Sequence, residues 1–388
     1  MSKKEKTNSP SSIFWKRFRR KKLAVSAALF ILVMIVVSLL GYSITPDSTP
    51  LANDMNLALA LKKPGFTANM LRVKKNMEAE SSSFFHTMLF GKENQYMFIP
   101  IESYSIDETH ISIEEYTGLG SSAKKLTRKL PLAGVLYGTD APGKDIKTLR
   151  EEVKKNIVSK TFYLGTDRYG RDMLSRLLIG TRVSLSVGLI AVIISLLIGI
   201  GMGALAGFYR GIVDDLIMWF INVIWSVPTL LLVIAITLAL GKGFWQVFVA
   251  VGLTMWVEVA RVVRGQIFSI REMEYIEAAK ALGFSNYRTI ARHILPNIIG
   301  PVIVISASNF ASAILLEAGL SFLGVGAQPP TPSWGTMIRE NYPFIIMNLA
   351  YLAILPGLAI MMMVLAFNLA GNGLRDAFDT KDISVAGT

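Results

Sequence analysis

The strongest constraint on this sequence is a set of apolar segments, each long enough to cross a lipid bilayer. A transmembrane helix needs about 20 mostly apolar residues. The segments that meet this requirement are residues 23–42, 183–208, 216–240, 244–263, 298–316 and 351–369. Hydrophobic residues make up 52% of the chain, which is more than in a typical soluble domain. The sequence therefore predicts an all-α polytopic membrane protein with six transmembrane helices.

The basic residues predict how these helices are oriented. The formal net charge is +12, and nine of the 40 Lys and Arg residues lie in the first 22 positions, directly before an apolar segment. Positively charged tails and loops stay on the cytoplasmic side, and this accounts for the charge without a nucleic-acid partner. The first segment is too long for the apolar region of a cleaved signal peptide. Both termini are therefore expected in the cytoplasm.

These spans divide the chain into five parts. We expect a cytoplasmic basic tail at residues 1–22, a first transmembrane helix at 23–43, an extracytoplasmic insert at 44–182, a core with helices 2–6 at 183–371 and a cytoplasmic tail at 372–388. Long translocated domains are largely exempt from the positive-inside rule. The charges of the insert are therefore compatible with this orientation.

The predicted insert has the pattern of a small α+β unit. Residues 96–104 and 110–116 are rich in β-branched and aromatic side chains, as strands are, and the charged residues 148–160 indicate a surface helix. The sequence of residues 137–145 nearly matches that of a phosphate-binding P-loop. However, Asp145 stands where that loop needs Ser or Thr, and no apolar strand leads into it. The chain itself is therefore not expected to bind ATP.

Two features within the spans predict how the helices pack. Gly199, Gly203 and Gly207 recur every four residues, and such a face lets another helix approach closely. Pro228 and Pro356 each remove a backbone N–H from a predicted helix. We expect a kink at Pro228 and a kink or a break at Pro356.

The polar segment at residues 271–296 is unusual because it lies between two long apolar spans. Residues 274–282 are good helix formers, and Gly283 can end that helix in a left-handed conformation. Ser285 is a suitable N-cap for a second helix, and Pro296 lets the chain redirect into the next span. An ordinary solvated loop is the alternative. The pattern predicts two short helices joined at a glycine, at the mouth of the bundle.

The spans carry few of the groups that catalysis or ion transport needs. No span has the row of ionisable residues expected of an ion relay. Glu258 is expected to pair with Arg261, and Glu317 lies near the outer end of its span; a functional role for either acid is the alternative. The three histidines do not cluster, and the chain has no cysteine, so neither a catalytic nor a metal site is expected. What remains is a translocation path whose energy comes from another subunit.

The residue order in the polar segment resembles the EAA loop of ATP-binding-cassette (ABC) importer permeases. The matching residues are Glu277, Ala278, Ala279, Gly283, Leu295 and Pro296. In that family the loop forms a cytoplasmic coupling helix that inserts into a groove of the ATPase subunit. His293 departs from the general pattern, which has an apolar residue there. The Arg-His-Ile-Leu-Pro-Asn ending is similar to that of the peptide-transporting branch.

Two further motifs resemble the C-type subunit of dipeptide, oligopeptide and nickel permeases. One is residues 164–176, before the second span, and the other is residues 317–324 with 328–335. The matching outer-loop residues are Gly165, Asp167, Gly170, Arg171, Asp172, Glu317 and Trp334. The resemblance covers roughly residues 14–43 and 162–380. The family usually has only a short link where this chain has its insert.

The resemblance implies a type I ABC importer permease fold in a bacterial inner membrane. A second, homologous permease would complete the translocation path, two cytoplasmic ATPases would bind ATP and Mg²⁺, and an extracytoplasmic binding protein would deliver the substrate. This chain would then bind no cofactor and catalyse no reaction itself. The implied substrate is a dipeptide or an oligopeptide, with nickel chelates, opines or other small solutes as alternatives.

Two other classes of protein remain open. An ion-coupled secondary transporter would work without ATPases, and the lack of charged residues within the spans argues against it. An export permease or a receptor-like scaffold would use the insert for binding, whereas the EAA loop resembles a feature of importers. Within the importer hypothesis, the insert either docks the binding protein or is an addition specific to this lineage.

Overall fold

The structure is a computed structural model that describes residues 10–76, 83–118, 126–138, 145–241 and 243–378. Parts of three predicted features lie outside the described residues. These parts are residues 1–9 of the basic tail, residues 139–144 of the P-loop-like segment and residues 379–388 of the C-terminal tail.

The described residues include fourteen α-helices and five strands. Helices α1 to α14 are Pro10–Arg20, Lys22–Leu40, Phe84–Phe90, Leu132–Tyr137, Ile146–Lys155, Met173–Tyr209, Gly211–Trp225, Thr229–Leu240, Phe244–Ile270, Glu274–Ala281, Asn286–Thr289, Ile299–Leu323, Trp334–Asn341 and Tyr351–Phe378. Strands β1 to β5 are Phe66–Lys74, Tyr96–Ile106, His110–Glu115, Leu126–Pro131 and Ile157–Phe162.

Among the described residues, five helical segments are long and apolar enough to cross a membrane. They are Lys22–Ser43, Met173–Tyr209, Phe244–Ile270, Asn286–Leu323 and Tyr351–Phe378. The third predicted span instead forms α7 and α8, which meet at 90° around Pro228. The expected kink is thus a full break, because proline has no N–H to continue the helix and restricts the residue before it. Counting this bent pair as one span gives six.

Helix α6 packs closely on α9 in the centre of the bundle. Gly199, Gly203 and Gly207 of α6 all face α9. A Cβ atom at Gly203 would lie 2.5 Å from the Ala260 carbonyl oxygen, which is closer than side chains tolerate. The glycine face therefore brings two backbones together. Helix α12 packs against α6, α9 and α14, and α14 in turn packs against α2.

Helix α6 begins at Met173 rather than at residue 183. Asp172 caps it, because its carboxylate accepts the backbone N–H of Ser175 at 2.7 Å. The first turns include Arg176 and other polar residues, so the apolar pattern starts later than the helix does.

Helix α14 is continuous through Pro356 and ends at Phe378, beyond the predicted end of the span. Of the two expected outcomes at Pro356, a kink or a break, the break does not occur. Pro356 stands in the second turn of α14, where the missing N–H costs one hydrogen bond to the Leu352 carbonyl near the helix end.

The chain between α2 and α6 contains an antiparallel sheet in the order β4-β3-β2-β1-β5. Helices α4 and α5 cover one face, where Leu132 and Val153 are buried with Ile111 and Ile113 of β3. Strands β2 and β3 confirm the two strands predicted from the sequence.

The helix predicted at residues 148–160 is wrong in its second half. Helix α5 ends at Lys155, and the next residues form β5, which pairs with β1. Ile157, Val158 and Thr161 are β-branched and fit a pleated sheet better than a helix. The charged residues of α5 made the whole segment look like one surface helix, so the sequence pattern did not indicate the change from helix to strand.

The other face of the sheet packs on the link that follows α2, residues 44–64. Leu59 of this link is buried against Met70 and Phe162 of the sheet. The backbone N–H of Lys62 donates to Thr166 Oγ1 at 2.9 Å. The link therefore joins the sheet to the segment directly before α6.

Candidate functional site

The EAA loop at residues 271–296 has the predicted helix–glycine–helix form. Helices α10 and α11 flank Gly283, whose φ of +77° lies in the left-handed region that glycine adopts without strain. Ser285 caps α11 by accepting the backbone N–H of Arg288 at 3.4 Å. This geometry is confirmed, and the role of the loop in coupling stays a prediction.

Apolar side chains hold the EAA loop against the ends of the spans. Ile276 of α10 and Ile294, which follows α11, are fully buried. They form one cluster with Phe208 of α6 and with Val263 and Ile267 of α9. These contacts attach the EAA loop to the ends of α6 and α9.

Charged side chains bind the EAA loop and α9 to Arg210, which lies between α6 and α7, and to the first turn of α7. Arg210 and Glu272 form an ion pair at 2.6 Å. The hydrogen bond from Arg210 and its positive charge lower the pKa of the Glu272 carboxyl. Arg264 of α9 donates to both carboxylate oxygens of Asp214 at 2.5 Å. The two segments therefore form one polar surface at the same end of the bundle.

The outward side of α10 is exposed and carries part of the motif. Glu277 and Ala278 are exposed, whereas Ala279 faces the bundle. Leu282 is 74% exposed and Tyr287 is 82% exposed. Large apolar side chains at this exposure, within an otherwise polar loop, indicate a surface that another protein covers.

Ring stacking fixes the second half of the EAA loop. His293 stacks on Phe284 with centroids 5.6 Å apart, and the Arg288 guanidinium lies 4.3 Å from the centre of the same phenyl ring. Leu295 and Pro296 then begin a 3₁₀ turn that leads into α12. His293, the departure from the family pattern, thus contributes to packing within the loop.

The first outer-loop motif meets helix α13, which begins within the second motif, in a buried group of charges. This group, the outer ion cluster, is formed by Asp167, Arg171, Arg176 and Glu340. Arg171 lies 2.6 Å from Asp167 and 2.7 Å from Glu340, and Arg176 lies 3.7 Å from each acid. Arg171 also donates to Asn53 of the link at 3.3 Å. Two cations and two anions balance here, which offsets the cost of removing each charge from water.

The remaining residues of the first motif shape the backbone around this cluster. Gly165 and Gly170 approach backbone carbonyls of the link so closely that a side chain at either position would collide with it. Asp172 accepts hydrogen bonds from the backbone N–H and the hydroxyl of Ser175. Burial raises the pKa of the Asp172 carboxyl, and the two bonds from Ser175 offset part of the rise.

Glu317 and Trp334, the predicted residues of the second motif, join α12 and α13 to the bundle. Glu317 is buried and accepts a hydrogen bond from the Ser184 hydroxyl of α6 at 3.5 Å, as well as one from the Ser321 hydroxyl of its own helix at 2.7 Å. Trp334 donates from Nε1 to the Leu177 carbonyl of α6 at 3.1 Å. A Cβ atom at Gly180 would lie 3.0 Å from the indole ring, so the glycine leaves space for it.

Arg176 and Glu340 are absent from the predicted site residues, yet both belong to the outer ion cluster. The sequence signal that could have identified them is a charged residue next to an apolar span, because such a residue needs a partner of opposite charge when it is buried. In the described structure, Glu258 and Arg261 do not form the predicted ion pair. The Arg261 guanidinium instead lies 4.0 Å from the centre of the Trp225 ring of α7.

A groove of about 810 Å³ opens between α9, α12 and α14, toward the end that carries the EAA loop. Its polar lining residues are Gln266, Ser269, Ser308, Asn368, Asn372 and Arg375. Polar side chains within a membrane are costly, and they usually face the interior of the bundle or a water-filled cavity. Among the described residues, no three His, Asp or Glu side chains come together as a metal site.

Two family profiles match this sequence. The profile of the binding-protein-dependent transport system inner membrane component matches residues 199–381, and that of the N-terminal TM domain of oligopeptide transport permease C matches residues 9–64. The second match extends the resemblance from residue 43 to residue 64. It therefore includes the link that contacts the first outer-loop motif, so the insert outside the resemblance begins after this link.

Curated relatives support the same assignment. The glutathione transport system permease protein GsiD of Pectobacterium atrosepticum is 42% identical over 58% of this chain and 74% of that protein. The dipeptide permease DppC of Alkalihalophilus pseudofirmus is 42% identical over 58% and 73%, and the oligopeptide permease OppC of Bacillus subtilis is 37% identical over the same shares. Among solved structures, an inward-facing MetNI methionine ABC transporter aligns with 53% of this chain and 98% of that chain, at 17% identity and a TM-score of 0.44. From the sequence matches, the chain belongs to the family of binding-protein-dependent transport system inner membrane components, as a C-type permease of an ABC importer.

Proposed function

We propose that this permease forms one half of the translocation path of an ATP-driven importer for dipeptides or oligopeptides. The observation that carries the proposal is the EAA loop. Buried Ile276 and Ile294 anchor it to the spans, while Glu277, Ala278 and Leu282 remain exposed. A loop that is fixed on one side and open on the other can receive motion from a docked subunit and pass it to the membrane helices.

The route of this motion leads from α10 to the polar groove. Ile276 packs on Val263 and Ile267 of α9. The same stretch of α9 supplies Gln266 and Ser269 to the lining of the groove. A shift of α10 would therefore move the groove-lining face of α9 because the intervening side chains are closely packed.

We place the EAA loop and both termini in the cytoplasm and the sheet on the opposite side of a bacterial inner membrane. Residues 209–215 join the EAA loop through the Arg210–Glu272 pair, and Lys21 forms an ion pair with Asp376 at 2.9 Å, so the two terminal segments also meet. If α7 and α8 are one broken span, six crossings return the chain to its starting side.

The relatives and the groove support a peptide substrate. The relatives are named for glutathione, dipeptide and oligopeptide transport. The amides and hydroxyls of the groove can hydrogen-bond to peptide groups, and Arg375 can pair with a carboxylate. Nickel chelates, opines and other small solutes are the alternative cargo.

The proposed importer needs four kinds of partner. A second permease would enclose the path, two ATPases holding ATP and Mg²⁺ would dock on the EAA loops, and a binding protein would deliver the substrate outside. The lipid bilayer surrounds the spans. ATP hydrolysis then belongs to the ATPases, and this chain acts as a non-enzymatic conduit.

The test is peptide uptake by the complete complex in vesicles, with Gly283→Pro compared with the control Gly65→Pro. Both glycines have a left-handed φ, +77° and +81°, and open space around the Cβ position. Both substitutions also remove one backbone hydrogen-bond donor. We expect Gly283→Pro to lower uptake by at least about tenfold with normal membrane insertion, and Gly65→Pro to retain it. Equal uptake by both variants would contradict the coupling role. Uptake that needs an ion gradient and no ATPase would indicate a secondary transporter.

A further inference from the structure

Helix α3 of the insert is short, apolar and uncovered. It comprises Phe84–Phe90, and none of its residues is buried. Phe84, Phe85 and Phe90 are 67%, 68% and 62% exposed. Soluble surfaces rarely expose three phenyl rings of one short helix to water, and such surfaces indicate contact with a protein or a membrane. The helix therefore requires an apolar environment that the described part of the chain does not supply.

The position of α3 indicates which environment this is. The Arg182 guanidinium of α6 donates to the Ser38 carbonyl at 2.8 Å and to the Leu39 carbonyl at 3.3 Å, both at the end of α2. It also donates to the Met88 carbonyl at 3.1 Å and to the Leu89 carbonyl, at the end of α3. One side chain thus holds the C-terminal ends of both helices together. Because α2 is a membrane span, α3 lies at the boundary of the hydrocarbon layer.

The apolar surface of α2 continues into α3. Only 11% of the apolar part of Lys22–Ser43 is buried within the chain, which is the lowest share among the five long spans of the described residues. Val36, Leu39 and Leu40, near the outer end of α2, are 44%, 56% and 38% exposed. Such a span faces lipid over much of its circumference, and α3 extends that surface at its outer edge.

We propose that α3 lies in the outer interface of the lipid bilayer and anchors the insert to the membrane. Aromatic side chains are favoured at this depth, where the apolar ring meets both acyl chains and headgroups. The helix carries no acidic residue that an anionic lipid surface would repel, and the exposed Lys92 and Glu93 that follow it are opposite in charge. The location of α3 in the outer leaflet rests on the proposed function, which places the insert outside the cytoplasm, whereas contact of α3 with lipid does not depend on it.

The anchor would fix the orientation of the sheet over the permease. The link at residues 44–64 holds one side of the insert through the first outer-loop motif. Gly91, directly after α3, lies against the backbone of Ser48 and Pro50 in the same link. The insert would therefore be attached both to the permease and to the lipid beside its first span.

Single cysteines can test this proposal because the chain has no native cysteine. The variants are Phe85→Cys in α3, Leu39→Cys in α2 as the reference in lipid, and Leu126→Cys in β4 as the reference on the far edge of the sheet. Leu39 and Leu126 are each 56% exposed, so the two references match in accessibility within the chain. Each variant is labelled with a small fluorophore in the complete complex in vesicles, and quenching by spin-labelled lipids and by aqueous iodide is measured.

We expect spin-labelled lipids to quench the label at position 85 about as strongly as at position 39, and at least about threefold more than at position 126. Quenching by iodide as strong as at position 126 would overturn the proposal, because α3 would then stand in water. Protection from both quenchers would also overturn it, because another subunit would cover the helix. A membrane-impermeant thiol reagent on Leu126→Cys reports the side of the insert separately, so failure of the proposed topology is distinguishable from failure of the anchor.

Discussion

The two ends of this permease carry motifs of one family but have opposite physical character. At the EAA loop, Leu282 and Tyr287 are open to solvent in the single chain. At the other end, Arg171 and Glu340 are buried in a balanced group of charges. A motif that matches the family can thus form an exposed surface, as in the EAA loop, or a buried contact within the chain, as in the outer ion cluster. The burial of its side chains distinguishes the two. The open surface suits a partner, whereas the closed joint fixes the chain to itself.

Helix α6 connects these two ends. It begins at the Asp172 cap beside the outer ion cluster and ends near Phe208, which packs under the EAA loop. Its 37 residues span roughly 55 Å at 1.5 Å per residue. The outer joint therefore gives one end of α6 a fixed point, while the EAA loop can act on the other end.

The largest expected difference between the two ends is in the free energy of unfolding. Glu340→Ala leaves Arg171 and Arg176 with one buried carboxylate, and loss of a partner in a buried ion group costs about 3–5 kcal/mol. Glu272→Ala removes an exposed partner of Arg210 and should change stability little. Thermal unfolding of both purified variants in detergent measures the difference. Similar midpoints would mean that the outer ion cluster is no stronger a joint than the exposed pair.

A second comparison lies within α6 itself. Gly203→Ala places a Cβ 2.5 Å from the Ala260 carbonyl oxygen and should destabilise the bundle by about 1–3 kcal/mol. Gly201→Ala is the matched control, because a Cβ there meets no atom within 4 Å and alanine favours helix. We expect a lower unfolding temperature for the first variant and an equal or higher one for the second. Two equal shifts would show that α6 does not depend on close contact with α9.

A third comparison uses two leucines of nearly equal exposure at opposite ends. Leu282 is 74% exposed in the EAA loop, and Leu57 is 73% exposed in the link. A charge at the centre of a protein interface costs binding energy, so Leu282→Glu should lower binding of the ATPases by about tenfold, or about 1.4 kcal/mol. Leu57→Glu should leave ATPase binding unchanged. Pull-down of the ATPases with each variant decides whether the exposed face of the EAA loop is their docking surface.

The sequence predicts the EAA loop well because its signals are local. Gly283 and Ser285 act on their nearest neighbours, and the structure has a left-handed turn at the first and an N-cap at the second. The apolar spans are local signals as well. Pro228 gives the position of a break, but its 90° angle depends on the packing of α7 and α8 within the bundle.

The outer ion cluster escapes prediction because its members are distant in sequence. Arg171 and Glu340 are separated by 169 residues, and only the folded bundle brings them together. The early start of α6 could not be predicted from the sequence for a related reason. Arg176 makes the first turns look like a loop, although burial beside two carboxylates satisfies its charge.

The smallest expected effect is a difference in how pH changes the stability of the two ends. Burial raises the pKa of Asp172, so its contribution to stability is largest below the ordinary value of 3.8 and is lost as the pH rises through the raised value. The bond and charge of Arg210 lower the pKa of Glu272, so its contribution is present above the ordinary value of 4.5 and is lost as the pH falls through the lowered value. As the pH rises, the Asp172→Asn variant should therefore become more stable relative to wild type; asparagine keeps the N-cap. Over the same rise in pH, the Glu272→Gln variant should become less stable relative to wild type. Unfolding measured between about pH 3.5 and 6 tests the two slopes. Slopes of the same sign would show that the buried cap and the exposed pair do not differ in their electrostatics.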